Sequence, residues 1–185
     1  MRLAIIFSAL FTVQYPSFLN AATTSIHQEN SRLYKTITSY LDFKKNNVVM
    51  QQYDYSCGAA ALATLMKFYY NDNVSEKSLL NLAKTSTSIN QESIKIKGLS
   101  LLDLKHIAIQ KGYRAAGFKL TVNQLRLLTG PVLIFYKPRD FPHFAVFKKI
   151  SKSRVYIADP ARGNVRVSIN NFLAIWDGHV LALEK

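Results

Sequence analysis

Gln51-Gln52-Tyr53-Asp54-Tyr55-Ser56-Cys57-Gly58-Ala59-Ala60-Ala61-Leu62-Ala63 is the stretch on which the reading of this 185-residue sequence turns. Its first half is polar and turn-forming. From Cys57 the residues become small and apolar and continue as a helical pattern to about Tyr70, with Leu62, Leu65, Met66 and Tyr69 spaced for one buried face. Cys57 therefore stands at the first turn of an expected helix. The partial positive charge of a helix start favours a thiolate there, and the free backbone N–H groups of that turn point to where a carbonyl oxygen would become negative. Cys57 is the sole cysteine, so no intramolecular disulfide and no cysteine-rich zinc site can be built. A lone cysteine is either a buried small residue or a reactive thiol. The helix start favours the thiol.

A thiolate of this kind needs a proton acceptor and a second oxyanion donor. Gln51 and Gln52, on the incoming loop, each carry an uncharged amide suited to the donor role, and spacing does not separate them. Downstream, Pro142 sets an extended approach to His143, and Phe144-Ala145-Val146-Phe147 continues as a strand. The next strand ends at Asp159-Pro160. Residue 151 lies midway between His143 and Asp159, and Ser151-Lys152-Ser153 is a polar bend suited to a hairpin turn. Folded there, His143 and Asp159 become near-opposite cross-strand partners, so that Asp159 holds one ring nitrogen while the other faces Cys57. His27, His106 and His179 lack such company and read as packing or surface residues.

The flanking sequence sets the organisation. Arg2, the apolar run Leu3 to Val13 and the small-residue exit Asn20-Ala21-Ala22 predict a secretory signal peptide over residues 1–22, and hence a periplasmic location. Residues 23–46 read as an N-terminal extension with one short helix, its stripe formed by Leu33, Ile37, Tyr40 and Leu41; residues 47–185 read as a single domain. Helices are expected at Ser75 to Lys84 and Ser100 to Lys111, the latter opened by a Ser100/Asp103 capping box and stopped by Gly112. Residues 85–98 read as an exposed loop with Ile94 and Ile96 as an amphipathic patch. Strands follow at Tyr113 to Leu120, Val132 to Tyr136, His143 to Ile150, Val155 to Ala158, Val165 to Val167 and His179 to Leu183, with a short helix at Asn170 to Trp176. Helices first and strands later predict an α+β fold, an N-terminal helical lobe packed against a C-terminal antiparallel β-sheet.

Charge narrows the partners. Losing Arg2 takes one unit from a net charge of +13, but the basic residues are scattered, without a run of five or six and without a nucleic-acid motif. That excludes nucleic acid as the expected partner and leaves a solvated basic surface, with loose attraction to anionic membranes or acidic partners.

The sequence resembles the C39 cysteine peptidases, the bacteriocin-processing enzymes of papain-like fold. The resemblance rests on Gln51 six residues before Cys57, Asp54-Tyr55-Ser56-Cys57-Gly58-Ala59-Ala60-Ala61-Leu62-Ala63, Gly98-Leu99-Ser100-Leu101 with Leu104, His143-Phe144-Ala145-Val146, Asp159-Pro160-Ala161 with Gly163, and Trp176 with Gly178. It implies Cys57 as nucleophile, His143 as base, Asp159 as orienting carboxylate and Gln51, rather than Gln52, as oxyanion donor, with no cofactor and no metal. Family members commonly place Asp before the Cys; here it is Ser56, which reads as a helix N-cap. The chain looks like the stand-alone C39 proteins beside outer-membrane secretion systems, including those for functional amyloids. The implied substrate is an extended, Gly-rich or small-residue exported polypeptide, with an outer-membrane secretion component as a possible partner. Two other functions use the same residues: an acyltransferase, in which an amine replaces water, and a binding or chaperone-like module that holds an exported partner without cutting it.

Overall fold

A computed structural model describes residues 23–28, 31–36, 39–87 and 89–185, with side chains from residue 39 onward. The signal peptide expected over residues 1–22 lies outside them. The chain divides into two compact units, residues 1–39 and 40–185. In the first, β1 (Thr23–Gln28) pairs antiparallel with β2 (Ser31–Thr36). The helical stripe is thus a strand at Leu33, Ile37 lies outside the described residues, and Tyr40 and Leu41 fall in α1 (Tyr40–Lys45) of the second unit. The Thr-, Ser- and Ile-rich run of β1 favours extended backbone, and pairing with it overrides a short helical period.

The second unit is built around α2 (Cys57–Tyr69). This helix is buried on every side from Cys57 to Met66, unlike the one-faced helix expected, and its last residue, Tyr69, is exposed. The cause is packing: α3 (Glu76–Thr85) and α5 (Leu101–Gln110) lie against it on one side and the sheet on the other. Thr64, the one polar side chain in its buried middle, donates to the Ala60 carbonyl (2.8 Å) and accepts from Val49 N (2.9 Å), which ties the incoming chain to the helix. The Ser100/Asp103 capping box opens α5, and Gly112 follows it at φ 85°.

Residues 85–98 differ from the loop expected there. Asn90 accepts from Glu92 N and Ser93 N and starts α4 (Gln91–Lys97), and Gly98, at φ 74°, ends it. Ile94 is buried beneath it while Ile96 is exposed. Gly98 has a second reason to lack a side chain: an added Cβ would lie 2.9 Å from the Tyr55 carbonyl. The turn before Cys57 and the start of α5 are therefore pressed together.

The strands β3 (Arg114–Lys119), β4 (Val132–Tyr136), β5 (His143–Ser151), β6 (Arg154–Asp159), β7 (Gly163–Ser168) and β8 (His179–Glu184) form one antiparallel sheet in the order β3-β8-β4-β5-β6-β7. Two short helices, α6 (Val122–Leu127) and α7 (Ile169–Leu173), complete the unit. Side-chain alternation divides the core. Leu133, Phe144, Val146, Ala158 and Leu181 join the helical lobe, while Ile134, Ala145, Phe147, Ile157 and Val180 pack with Leu125, Phe172 and Trp176 on the other face. The architecture is the α+β arrangement expected, a helical lobe against an antiparallel sheet.

Candidate active site

Three sequence-predicted residues meet where α2 begins against the sheet. Cys57 is the first residue of α2 and is buried. Ser56 does not cap the helix as expected; its hydroxyl donates to the Tyr53 carbonyl (2.7 Å) and accepts from Tyr53 N (3.1 Å). The hydroxyl thus closes the turn on itself and leaves the first amides of α2 without a side-chain acceptor. Gly58 allows the helix to sit this deep, because a Cβ there would lie 3.1 Å from the Leu104 side chain and 3.3 Å from that of Phe144.

His143 opens β5, and its Nε2 donates to Asp159 Oδ1 at 3.0 Å. Cys57 acts on the same ring electrostatically. The hairpin geometry differs in detail from the midpoint reading. Ser151 pairs with Arg154, and a bulge between Phe147 and Lys149 shifts the register, so that Val146 faces Ala158. Continuing that register sets Asp159 level with Ala145, two residues from His143, and the pair is diagonal rather than directly opposite.

Asp159 is fully buried and accepts five hydrogen bonds. Oδ1 takes His143 Nε2, Ala161 N (2.8 Å) and Arg162 N (3.1 Å); Oδ2 takes Tyr136 Oη (2.7 Å) and Arg162 Nε (2.7 Å). Burial works against the carboxylate, but the bonds from His143, Tyr136 and Arg162 outweigh it and hold Asp159 well below the usual carboxylate range. For His143 burial again disfavours the charged ring. The hydrogen bond to Asp159, the carboxylate's charge and the interaction with Cys57 prevail and raise it to about 9. The arrangement can hold a proton on the imidazole beside a sulfur nucleophile.

Gln51 is placed differently. Its backbone N–H donates to the Pro160 carbonyl (2.9 Å), which fastens the loop to the residue after Asp159, and its Nε2 donates to the Tyr53 carbonyl (3.1 Å). Its Oε1 is buried with no hydrogen-bond partner among the described residues. Gln52 is exposed, and its backbone N–H donates to both carboxylate oxygens of the buried Glu76 (3.0 and 3.2 Å). A cleft of about 1200 Å³ opens from Cys57, walled by Tyr53, Tyr55, Leu99, Phe141 and Phe144, and Gln52 stands on its wall.

Sequence reasoning missed four side chains here. Tyr136 and Arg162 hold Asp159, and Glu76 holds the glutamine loop. His179, read as a surface residue, lines the cleft with its Nδ1 on Asp177 Oδ1 (2.8 Å), a half-exposed pair. Arg162 had a signal, since Asp159-Pro160-Ala161-Arg162 is a turn in which an Asp side chain accepts from the following amides. Tyr136 and Glu76 are brought in by tertiary packing alone. Among the described residues no group of His, Cys, Asp and Glu could hold a metal ion.

Comparison with known proteins shows the family. The chain is 33% identical over 168 residues to the "Probable functional amyloid protease FapD" of Pseudomonas fluorescens, covering 91% of this chain and 74% of that protein. The crystal structure of the peptidase domain of Streptococcus ComA, a bifunctional ABC transporter of a quorum-sensing pathway, superposes with a TM-score of 0.63 at 25% identity, over 74% of this chain and 96% of that one. A double-glycine motif protease from an AMS/PCAT transporter, solved with its leader peptide, gives 0.60 at 27% identity over 74% and 89%. The sequence model of the Peptidase C39 family matches residues 45–185. The chain belongs to the peptidase C39 family of cysteine peptidases.

Proposed function

We propose that this peptidase is exported and cuts an exported, extended polypeptide for a secretion or functional-amyloid assembly system, with Cys57 as nucleophile, His143 as base, Asp159 as orienting carboxylate and Gln51 as oxyanion donor. The observation that carries the reading is the hydrogen bond that fixes His143 to the fully buried Asp159, together with a thiol that interacts with that imidazole and lines an open cleft. The Cys57 sulfur attacks the scissile carbonyl, and its proton passes to His143. The amide at the start of α2 and one N–H of Gln51 stabilise the tetrahedral oxyanion; Gln51 Nε2 keeps a second N–H beyond the one given to Tyr53. Collapse breaks the C–N bond, the His143 proton leaves with the amine, and water activated by His143 hydrolyses the thioester.

The amyloid and secretion setting rests on the Pseudomonas relative, and export rests on the pattern of residues 1–22. A Gly-rich or small-residue segment is the substrate class, since a chain must lie extended beside the buried thiol; an outer-membrane secretion component is the expected partner. The test is to incubate the purified protein with Gly-rich exported polypeptides from the same source and weigh the products. Two fragments that together gain one water support hydrolysis. An amine-bearing fragment makes the chain an acyltransferase, and stable capture of intact polypeptide that survives Cys57→Ala makes it a binding module.

A further inference from the structure

Five donors on one buried carboxylate are more than orientation of a histidine requires. His143 Nε2 and two backbone amides already fill Oδ1 and fix the Asp159 rotamer. Oδ2 points the other way, into a separate pair of side chains. Tyr136 Oη donates to it at 2.7 Å, Arg162 Nε at 2.7 Å, and Arg162 Nη2 donates in turn to Tyr136 Oη at 3.0 Å. The three make a closed ring of charge-assisted hydrogen bonds. Tyr136 is the strand partner of His143 and meets its ring edge-on at 5.6 Å, so the ring of bonds is built into the sheet beside the imidazole.

A carboxylate bonded to a guanidinium on one oxygen and to an imidazole on the other divides its charge between two cations. The part committed to Arg162 is unavailable to hold a proton on His143. We propose that Arg162, seated on Tyr136, is a positioning residue that tunes how firmly Asp159 holds the proton of His143. This rests on His143 as the base of the proposed reaction. The groups facing the imidazole are few: Asp159 from the end of β6, Cys57 from the start of α2, the Tyr136 ring from β4, and Arg162 behind the carboxylate. Of these, Arg162 alone carries a fixed positive charge. Its side chain is 47% exposed, so the chain can lose its charge without opening a cavity in the core.

The sign follows. Without the guanidinium, the whole charge of a still-ionised Asp159 faces His143, and the imidazolium becomes harder to deprotonate. Two unit charges on either side of one carboxylate, in a partly screened site, interact enough to move a titration by roughly one pH unit, a tenfold change in proton affinity. The experiment is an NMR titration of the His143 ring in the full chain, with its signals assigned by their loss in His143→Gln, beside the rate of Cys57 alkylation by iodoacetamide across pH. Arg162→Met should raise the His143 midpoint and carry the alkylation profile with it. Arg162→Lys, which keeps the charge but cannot fork to both Asp159 and Tyr136, should rise by a smaller amount. An unchanged or lowered midpoint in a folded Arg162→Met chain overturns the proposal and leaves the ring of bonds as a structural tie. Should that variant melt, Arg162→Gln, which removes the charge and keeps an N–H donor, decides in its place: a midpoint equal to or below that of the unsubstituted protein refutes the tuning role. No substrate is needed, so this can fail while the chain still cuts polypeptides, and hold where none is cut.

Discussion

Asp159 and Gln51, neighbours through the hydrogen bond from Gln51 N to the Pro160 carbonyl, are held in opposite ways. The carboxylate is buried and has every lone pair engaged, three of its bonds coming from side chains on β4, β5 and the turn after β6. The glutamine is held by its backbone, through Pro160, and through the neighbouring anchor of Gln52 on Glu76, while its side chain has one bond to the Tyr53 carbonyl and an unpaired buried oxygen. Leaving a buried amide oxygen unsatisfied costs about 1–3 kcal/mol. On the roles proposed above, the acid-base arm is set before substrate arrives, whereas the oxyanion arm is adjustable. The two arms should therefore answer differently to substitution.

The largest expected effect is on the fixed arm. His143→Ala should lower kcat/KM by roughly 10³ to 10⁴, measured on any cleaved polypeptide, because both proton transfers pass through that ring. Asp159→Asn comes next, with roughly a thousandfold loss and measurable residual activity. It should also destabilise the fold, since an amide N–H₂ turned toward Tyr136 and Arg162 would meet donors with a donor. Equal and negligible effects of the two would dissolve the fixed arm altogether.

On the adjustable arm, Gln51→Ala should reduce kcat about a hundredfold, near 3 kcal/mol of transition-state stabilisation, with KM little changed. Gln52→Ala should do far less. The reverse order would make the side chain on the cleft wall the donor, which is the sharpest test of the contrast, since Gln52 and not Gln51 lines the cleft. Glu76→Ala should act through the loop alone, with a loss of roughly tenfold that Glu76→Gln restores, because the amide oxygen can still accept from Gln52 N.

The smallest effect is on stability against pH. His143 is raised from 6.5 to about 9 in the folded protein. Its charged pairing with Asp159 therefore contributes fully below pH 6.5 and is lost as pH rises through about 9. The melting temperature should fall by a few degrees across that window, and Asp159→Asn should flatten the fall. Catalysis should decline over the same upper limb, as the proton destined for the leaving amine disappears.

How much of this could be read from the chain depended on whether the cause was local. Cys57 at a helix start, the Ser100/Asp103 capping box and the strand entered from Pro142 are short-range patterns, and each element is present. The helices α4 and α6 are too short to display a period; Asn90 before the one and Thr121 with Gln124 before the other were the available signals. The diagonal offset of His143 and Asp159 comes from where the turn falls, between Ser151 and Arg154 rather than about residue 151, and the bulge before Lys149, which alternation cannot reveal, takes back one residue of it and returns the two to one face. Tyr136 is a hydrophobic strand residue by pattern, and only the strand order puts its hydroxyl on a carboxylate. The all-round burial of α2 likewise depends on what packs there, not on its own spacing.

The outermost strands β3 and β7 leave one further consequence. An unpaired strand flank is a template on which foreign β-prone chains can add, a hazard for any enzyme that takes an extended polypeptide as substrate. On β7 the flank is shielded by α1, whose Lys44 carbonyl presses against Gly163 and whose Phe43 carbonyl, with that of Asn46 just beyond, accepts from Asn164 Nδ2. On β3 the strand is short and carries Arg114 and Lys119 at its ends, the first paired with Glu184. Such a sheet can meet its substrate at the cleft as a reagent without becoming a nucleus for it.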